Sequence, residues 1–317
     1  MAHLESCSQC SQALEEHRRF ESLLRDPAVW IGRDLRPDSD DPTVLLAAQI
    51  AEEDRQAAEL IASYEDMEPA RFAWLDLAAD SAFHTGGVVR RLCRRAHMMC
   101  ERNPLYALAI ADTAVSISVA LSDTLYPRQA VHELRGEAWK ERTNALGYLG
   151  RFAEAFQALD VAEAEYKCLP HAGAGLVSVA FVRASLFYER EQFSTAESYA
   201  DDAARAALHL GLIDLHLGAR HLVALIRSDQ QRHSEALEIG RELLRRSEEN
   251  EDEAWIARYS SAMTALAYLK DAASHNPVIP PAVLRYVRRF IVRADRDRDL
   301  VWAPPPPGLQ GLDARLD

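Results

Sequence analysis

The residues with the clearest potential for chemistry are three metal-ligand types near the start of the chain. His3, Cys7 and Cys10 form the pattern H-x3-C-x2-C. Two thiolates three positions apart can bind one ion across a tight turn, and a histidine four positions earlier can reach the same ion from the next helical turn. Sulfur and imidazole ligands together favour zinc over harder cations. The spacing therefore predicts a zinc site at residues 3–10.

The stretch after these ligands, SQALEEHRRFESLLRD, has the period of an amphipathic helix. Its apolar side carries Leu14, Phe20, Leu23 and Leu24. The ligand pattern and the helix together resemble the zinc-associated domain of bacterial anti-sigma factors, over residues 1–26. The resemblance implies that His3, Cys7 and Cys10 are zinc ligands and that the helix buries its apolar face against a sigma factor.

The fourth zinc ligand is the point at which the chain departs from that family. A structural zinc site is normally four-coordinate, and the family takes its further Cys or His from an upstream helix. His17 is seven residues beyond Cys10, roughly 10 Å along a continuous helix, which is too far for one ion. Four explanations of the missing ligand are open. A second chain supplies it, water fills the open position, coding sequence upstream of Met1 contains it, or the segment no longer binds metal.

A helical hairpin that recurs organises most of the remaining chain. From Glu137 to Leu169 two apolar stripes of helical period flank the turn LGRF, and Gly150 supplies the backbone freedom that a helix C-terminus favours. Superposition on this hairpin gives four second helices with small residues at matching places, spaced by 48, 41 and 40 residues. They are Ala107-Ala111-Ala114, Ala155-Leu159-Ala162, Ala196-Ala200-Ala203 and Ala236-Gly240-Leu243. A fixed period of this kind indicates a repeat architecture.

These units resemble the tetratricopeptide repeat (TPR) family over about residues 83–270. The matching residues are Trp139, Gly150, Phe152, Ala155 and Ala162 in one unit, and Ala184, Phe187, Phe193, Ala196 and Ala203 in the next. The last unit departs from the pattern, with Gln231 and His233 where glycine and an aromatic residue are expected. The resemblance implies an all-α, TPR-like right-handed helical solenoid of antiparallel helix pairs, preceded by the short zinc-finger-like segment.

The predicted organisation has six parts. They are a zinc-binding segment at 1–26, a linker at 27–42, a helical cap at 43–82, about four TPR-like repeats at 83–272, a capping helix at 273–294 and a disordered proline-rich tail at 295–317.

Composition narrows the class of protein. The net charge of −13 argues against nucleic acid as a partner, and we expect the arginines at 90, 91, 94 and 95 to form a solvated or partner-facing helix stripe. The most apolar run, residues 105–121, is short and interrupted by polar residues, so we expect no membrane span. Five cysteines in 317 residues do not suggest a disulfide framework. We therefore expect a cytoplasmic protein.

No catalytic constellation stands out. The paired glycines at 86–87 and 173–175 lack the strand context and lysine of phosphate-binding loops, and no zinc-protease, nucleophile-elbow or kinase pattern occurs. Cys93 and Cys100 are most simply interpreted as buried small apolar residues. We expect no enzymatic activity.

A partner surface is implied by the TPR resemblance instead. In repeat families of this kind the outward residues of each first helix bind an extended peptide or a partner helix. Carried onto this chain by alignment, these are Lys140, Asn144, Tyr148, Phe181, Ser185, Tyr188 and His221. The alternative for each residue is that it packs between helices.

The resulting expectation is a non-enzymatic bacterial regulatory scaffold, with a sigma factor as one partner and a role in transcription regulation. Two alternatives stay open: a plain TPR adaptor with a vestigial N-terminus, and a sensor that binds a peptide or small ligand in its groove.

The zinc hypothesis is tested by metal analysis of the purified chain. We expect zinc in the wild type and its loss in a Cys7→Ser/Cys10→Ser variant, because the thiolates supply two of the ligands. Equal metal content in the two proteins would remove the hypothesis.

Overall fold

The computed structural model describes residues 42–65, 77–121 and 125–249, and these ranges are helical with no β-strand. The helices are α1 Pro42–Glu65, α2 Gly86–Met99, α3 Pro104–Ala120, α4 Arg128–Tyr148, α5 Phe152–Lys167, α6 Gly173–Glu189, α7 Phe193–His209, α8 Ile213–Asp229 and α9 His233–Glu249. A short 3₁₀ turn, Ser81–Phe83, precedes α2. The predicted all-α class is confirmed for these residues. Within them, none of the helices has both the length and the hydropathy needed to cross a bilayer.

Several predicted segments lie outside the described residues. They are the zinc segment with His3, Cys7 and Cys10, most of the linker, the C-terminal capping helix and the proline-rich tail. The chain divides into two compact units after Gln56, and the helices considered below belong to the second unit.

From α2 onward the helices pack in sequence-adjacent pairs: α2 with α3, α4 with α5, α6 with α7, and α8 with α9. In the last three pairs only residues 149–151, 190–192 and 230–232 separate the two helices. Connections this short join antiparallel neighbours. The first helix of each pair also contacts the first helix of the next, so α2 meets α4, α4 meets α6 and α6 meets α8.

Close contact within each pair depends on small residues of the second helices. The four sets predicted from the 48-, 41- and 40-residue spacing are all buried, at Ala107-Ala111-Ala114, Ala155-Leu159-Ala162, Ala196-Ala200-Ala203 and Ala236-Gly240-Leu243. Small side chains on one face let the facing helix approach closely. Their predicted role as packing positions is thereby confirmed.

The turns that close these pairs share one backbone conformation. Gly150 has a φ of +71°, and its counterparts Glu191 and Gln231 have φ values of +58° and +66°. In the second of these turns Glu191 N donates to Tyr188 O at 2.8 Å and Gln192 N to Phe187 O at 2.9 Å. Paired bonds of this kind define the Schellman motif that satisfies the last carbonyls of a helix. The same cap therefore forms where glycine is absent.

Two substitutions test the left-handed turns. An L-residue pays roughly 1–2 kcal/mol in this region, whereas glycine does not, although glycine loses more entropy on folding. We expect Glu191→Gly and Gln231→Gly each to raise the free energy of unfolding by about 1 kcal/mol, measured by urea denaturation.

Gly150→Ala is the matched control and should lower the free energy of unfolding by a similar amount, because its added Cβ meets no atom within 4 Å and only the backbone is affected. Destabilisation by Glu191→Gly would contradict the left-handed conformation at position 191.

Candidate partner-binding face

The residues predicted to contact a partner lie on α4, α6 and α8. Because Gly150, Glu191 and Gln231 occupy equivalent turn positions, the first helices correspond at offsets of 41 and 40 residues. A Cβ built on Gly147 of α4 would lie 2.9 Å from Leu186 Cδ2 of α6, so equivalent parts of these two helices are neighbours. The first helices therefore present related positions side by side.

The predicted contact residues differ in exposure. Tyr148 is half exposed, at 50%, and its hydroxyl donates to Glu101 Oε1 at 3.0 Å. Asn144, Phe181 and Ser185 are half-buried. These side chains lie partly at the surface, where a partner can reach them.

Tyr188 and His221 are buried instead, with exposed fractions of 4% and 6%. The Tyr188 hydroxyl donates to Asp229 Oδ2 at 2.7 Å, and its ring packs against Phe193 with centroids 6.1 Å apart. His221 lies in an almost continuous buried stretch of α8, residues 216–228. These two side chains therefore pack between helices, which was the alternative to contact with a partner.

Lys140 belongs to a network of charged and polar groups in the second unit. Its Nζ lies 2.8 Å from Glu137 Oε1 and 3.2 Å from Glu141 Oε1. His97 Nδ1 of α2 lies 3.2 Å from Glu141 Oε2, and Asn144 Nδ2 donates to the same oxygen at 3.0 Å. Two residues predicted to bind a partner, Lys140 and Asn144, thus already donate to carboxylates of their own helix.

The two charges at the centre of this network stabilise each other. Burial opposes ionisation of Glu141, but the Lys140 ammonium and the bonds from His97 and Asn144 outweigh it and lower the pKa of Glu141 to about 2. Burial also opposes the charge of Lys140, yet Glu141 and Glu137 raise the pKa of Lys140 well above its usual value. Both groups are therefore ionised at neutral pH.

The ring of Tyr166 fills the space between α4 and α6. Gly136 and Gly175 leave room for it, since an added Cβ would lie 2.8 Å from Tyr166 Cζ at the first and 2.3 Å from Cδ1 at the second. The hydroxyl donates to Glu137 Oε2 at 3.2 Å. Burial, followed by the charge of Glu137, raises the pKa of Tyr166 well above its usual value. Tyr166 therefore joins the charge network as a neutral donor.

Both cysteines in and beside α2 are buried packing residues. Cys93 and Cys100 are exposed by only 3% and 2%, which confirms their interpretation as buried. Burial, followed by the charges of Glu137 and Glu141, raises the pKa of the Cys93 thiol well above its usual value. Because the thiolate is the reactive form, Cys93 is a poor nucleophile.

An ion pair between consecutive helix pairs recurs, and sequence reasoning missed it. In each case an arginine of a first helix meets an aspartate on the second helix of the preceding pair. The contacts are Asp112–Arg142 at 2.6 Å, Asp160–Arg183 at 2.9 Å and Asp201–Arg220 at 3.4 Å. The aspartates are 48 and 41 residues apart, as are the buried alanines, and that spacing was the available signal. Partly exposed pairs contribute about 0.2–1 kcal/mol each, so their main effect is on orientation.

The described residues show no metal-ligand cluster. Within 42–65, 77–121 and 125–249 no group of three or more His, Cys, Asp or Glu side chains is arranged to hold a metal ion. The predicted ligands His3, Cys7 and Cys10 lie outside these ranges. What the face provides is hydrogen-bonding groups, charge and partly exposed rings on adjacent helices.

Comparisons of the chain with protein-family profiles, curated proteins and solved structures give no match. The resemblances to the TPR family and to the anti-sigma zinc domain therefore rest on the residues that carry them.

The network predicts a pH-dependent stability that Glu141 controls. Its folded-state pKa of about 2 is below the ordinary 4.5, so its contribution is present above 4.5 and is lost as the pH falls towards 2. We expect Glu141→Gln to lower the free energy of unfolding at neutral pH by on the order of 3 kcal/mol. The difference from wild type, measured by urea denaturation at a series of pH values, should shrink across that window.

Glu238→Gln is the control. Glu238 is exposed on α9 and makes no ion pair with the described residues, so its substitution should change stability by less than about 0.5 kcal/mol. A Glu141→Gln deficit that stayed constant or grew on acidification would contradict the ionised network.

Proposed function

We propose that this chain is a non-enzymatic protein-interaction scaffold, a TPR-like solenoid whose first helices bind a protein or peptide partner. The observation that carries the proposal is the recurrence of one turn. Gly150, Glu191 and Gln231 close successive helix pairs in the same left-handed conformation, and the first helices α4, α6 and α8 contact one another in order. Stacked units of this kind extend one binding surface across several repeats.

The exposed fractions of the seven aligned residues support fewer partner contacts than the alignment alone. Tyr148, Phe181 and Ser185 are the proposed partner contacts, since each lies at least partly at the surface. Lys140 and Asn144 contribute at the margin, because their donors are shared with Glu137 and Glu141. An aromatic side chain beside polar groups is typical of the residues that dominate protein interfaces.

The N-terminal segment adds a second proposed activity. The pattern of His3, Cys7 and Cys10 before an amphipathic helix supports zinc binding and contact with a sigma factor, and hence a role in transcription regulation in a bacterial cytoplasm. In the first alternative, a plain TPR adaptor, the solenoid binds its partner but the N-terminal segment binds neither zinc nor a sigma factor. In the second alternative, a sensor, the groove binds a peptide or small ligand.

The scaffold proposal is tested by crosslinking the full-length chain to its partners in cells and identifying them by mass spectrometry. We expect Tyr148→Ala/Ser185→Arg to lose partners that the wild type captures, because it removes an exposed ring and adds a long charge to the first-helix face. The same substitutions at Tyr199 and Ser198, both exposed on the second helix α7, form the matched control and should retain those partners.

Equal capture by both double variants would remove the first-helix face as the binding surface.

Deletion of residues 1–40 tests whether the N-terminal segment and the solenoid bind different partners. A truncated chain that still captured every partner would remove the sigma-factor part of the proposal. In the sensor alternative, a small ligand added to the purified protein raises its stability by RT ln(1 + [L]/Kd), which a thermal-shift screen detects.

A further inference from the structure

The charges of the first-helix face indicate the chemistry of its partner. At the offsets of 41 and 40 residues, equivalent positions of α4, α6 and α8 fall into rows. The first row is Glu133, Ala174 and Asp214, all three exposed. A carboxylate on either side thus flanks a small residue on the central helix.

The next rows continue this pattern while burial increases. Glu137, Ser178 and Gly218 form the second row and are half-buried. In the third row Lys140 and Phe181 are half-buried, whereas the equivalent position on α8, 221, is buried. Among these three rows the first, near the N-terminal ends of the helices, is the most open, and the central strip on α6 is uncharged with one aromatic ring.

The three rows, taken from the described residues, hold three carboxylates, Glu133, Glu137 and Asp214, and one ammonium, Lys140. Glu133 and Asp214 make no ion pair with the described residues, and the single ammonium of Lys140 is shared between Glu137 and Glu141. One arginine on each of α4, α6 and α8 contacts a preceding second helix. These arginines, at 142, 183 and 220, pair with aspartates of the preceding second helices.

We propose that the first-helix face of α4, α6 and α8 binds a protein segment in which lysine or arginine side chains flank an apolar one. Glu133 and Asp214 receive the basic side chains, and the apolar side chain lies along Ala174 and Phe181. A basic side chain passing over the Phe181 ring gains a cation–π contact as well. This proposal rests on the proposed function and adds the chemistry of its partner.

The same charges disfavour other partners. A phosphate backbone would meet carboxylates instead of the basic footprint that nucleic-acid binding needs, and an acidic segment would be repelled. Exposed interfacial charges act mainly on association and are screened by salt. Binding through this face should therefore weaken as ionic strength rises.

The experiment uses the full-length chain and fluorescence anisotropy of a labelled peptide made of Lys-Leu-Ser repeats. Two matched peptides replace every Lys by Glu, or every Leu by Ser. We expect the wild type to bind the Lys-Leu-Ser peptide and to discriminate against both replacements. Glu133→Lys/Asp214→Lys should weaken that binding by about tenfold or more, because two favourable charge contacts are replaced by repulsion. A tenfold change corresponds to about 1.4 kcal/mol of binding free energy.

Asp202→Lys/Glu238→Lys is the control, with the same change in net charge at exposed positions of the second helices. It should alter the affinity by less than about threefold, the range expected for distant, screened charges. Ala174→Arg places a bulky cation at the exposed centre of the face and should also weaken binding. Far-UV circular dichroism and thermal midpoints verify that all variants are folded.

Failure of this inference is distinguishable from failure of the scaffold proposal. Absence of Lys-Leu-Ser binding by the wild type, equal loss in the two charge-reversal variants, or equal binding of the Glu-containing peptide would each overturn the basic-partner inference. If Tyr148→Ala/Ser185→Arg nevertheless lost its crosslinked partners, the scaffold function would stand with a partner of different chemistry.

Discussion

Close contact between paired helices at small side chains is the constraint on which the described structure depends. A helix can return antiparallel through a three-residue turn only when the two axes lie near each other. Buried alanines such as Ala155 and Ala196 allow that approach, and the left-handed residue at each turn, Gly150 or Glu191, satisfies the last carbonyls of the first helix. Once each pair is closed in this way, its first helix is held against the first helix of the next pair, and the proposed partner-binding face is formed by these adjacent first helices.

The charge network around Lys140 has a cost as well as a function. Taking an ammonium and two carboxylates partly out of water is expensive, and such groups are often no better for stability than apolar residues of similar size. Their geometric effect is more specific. Glu141 ties α4 to His97 of α2, and Glu137 ties α4 to Tyr166 of α5. The network therefore fixes how neighbouring helices are oriented, and it leaves the adjoining face with an excess of negative charge.

The residues predicted to bind a partner show what repeat equivalence determines about a side chain and what it does not. Equivalent positions do occur on adjacent first helices, as the spacing of the turns requires. Their exposure is not equivalent, however: position 221 lies in an almost continuous buried stretch of α8, whereas position 140 of α4 is half-buried. Lys140 and His221 therefore differ in accessibility although they occupy the same position in their units. Sequence spacing defines the row to which a side chain belongs, whereas its neighbours in space decide whether a partner can reach it.

By itself, the sequence determined the helical class, the positions of the turns and the small residues that the second helices bury, because these follow from local periodicity and side-chain size. Only the tertiary structure decided the remaining features. Glu191 and Gln231 take a glycine-like conformation because helix ends must satisfy their carbonyls and the next helix must return at once. The ion pairs between helix pairs depend on distances across the fold, and so does the burial of Tyr188 and His221. Spacing along a helix identifies a face, but contacts from distant residues determine whether that face is open to a partner.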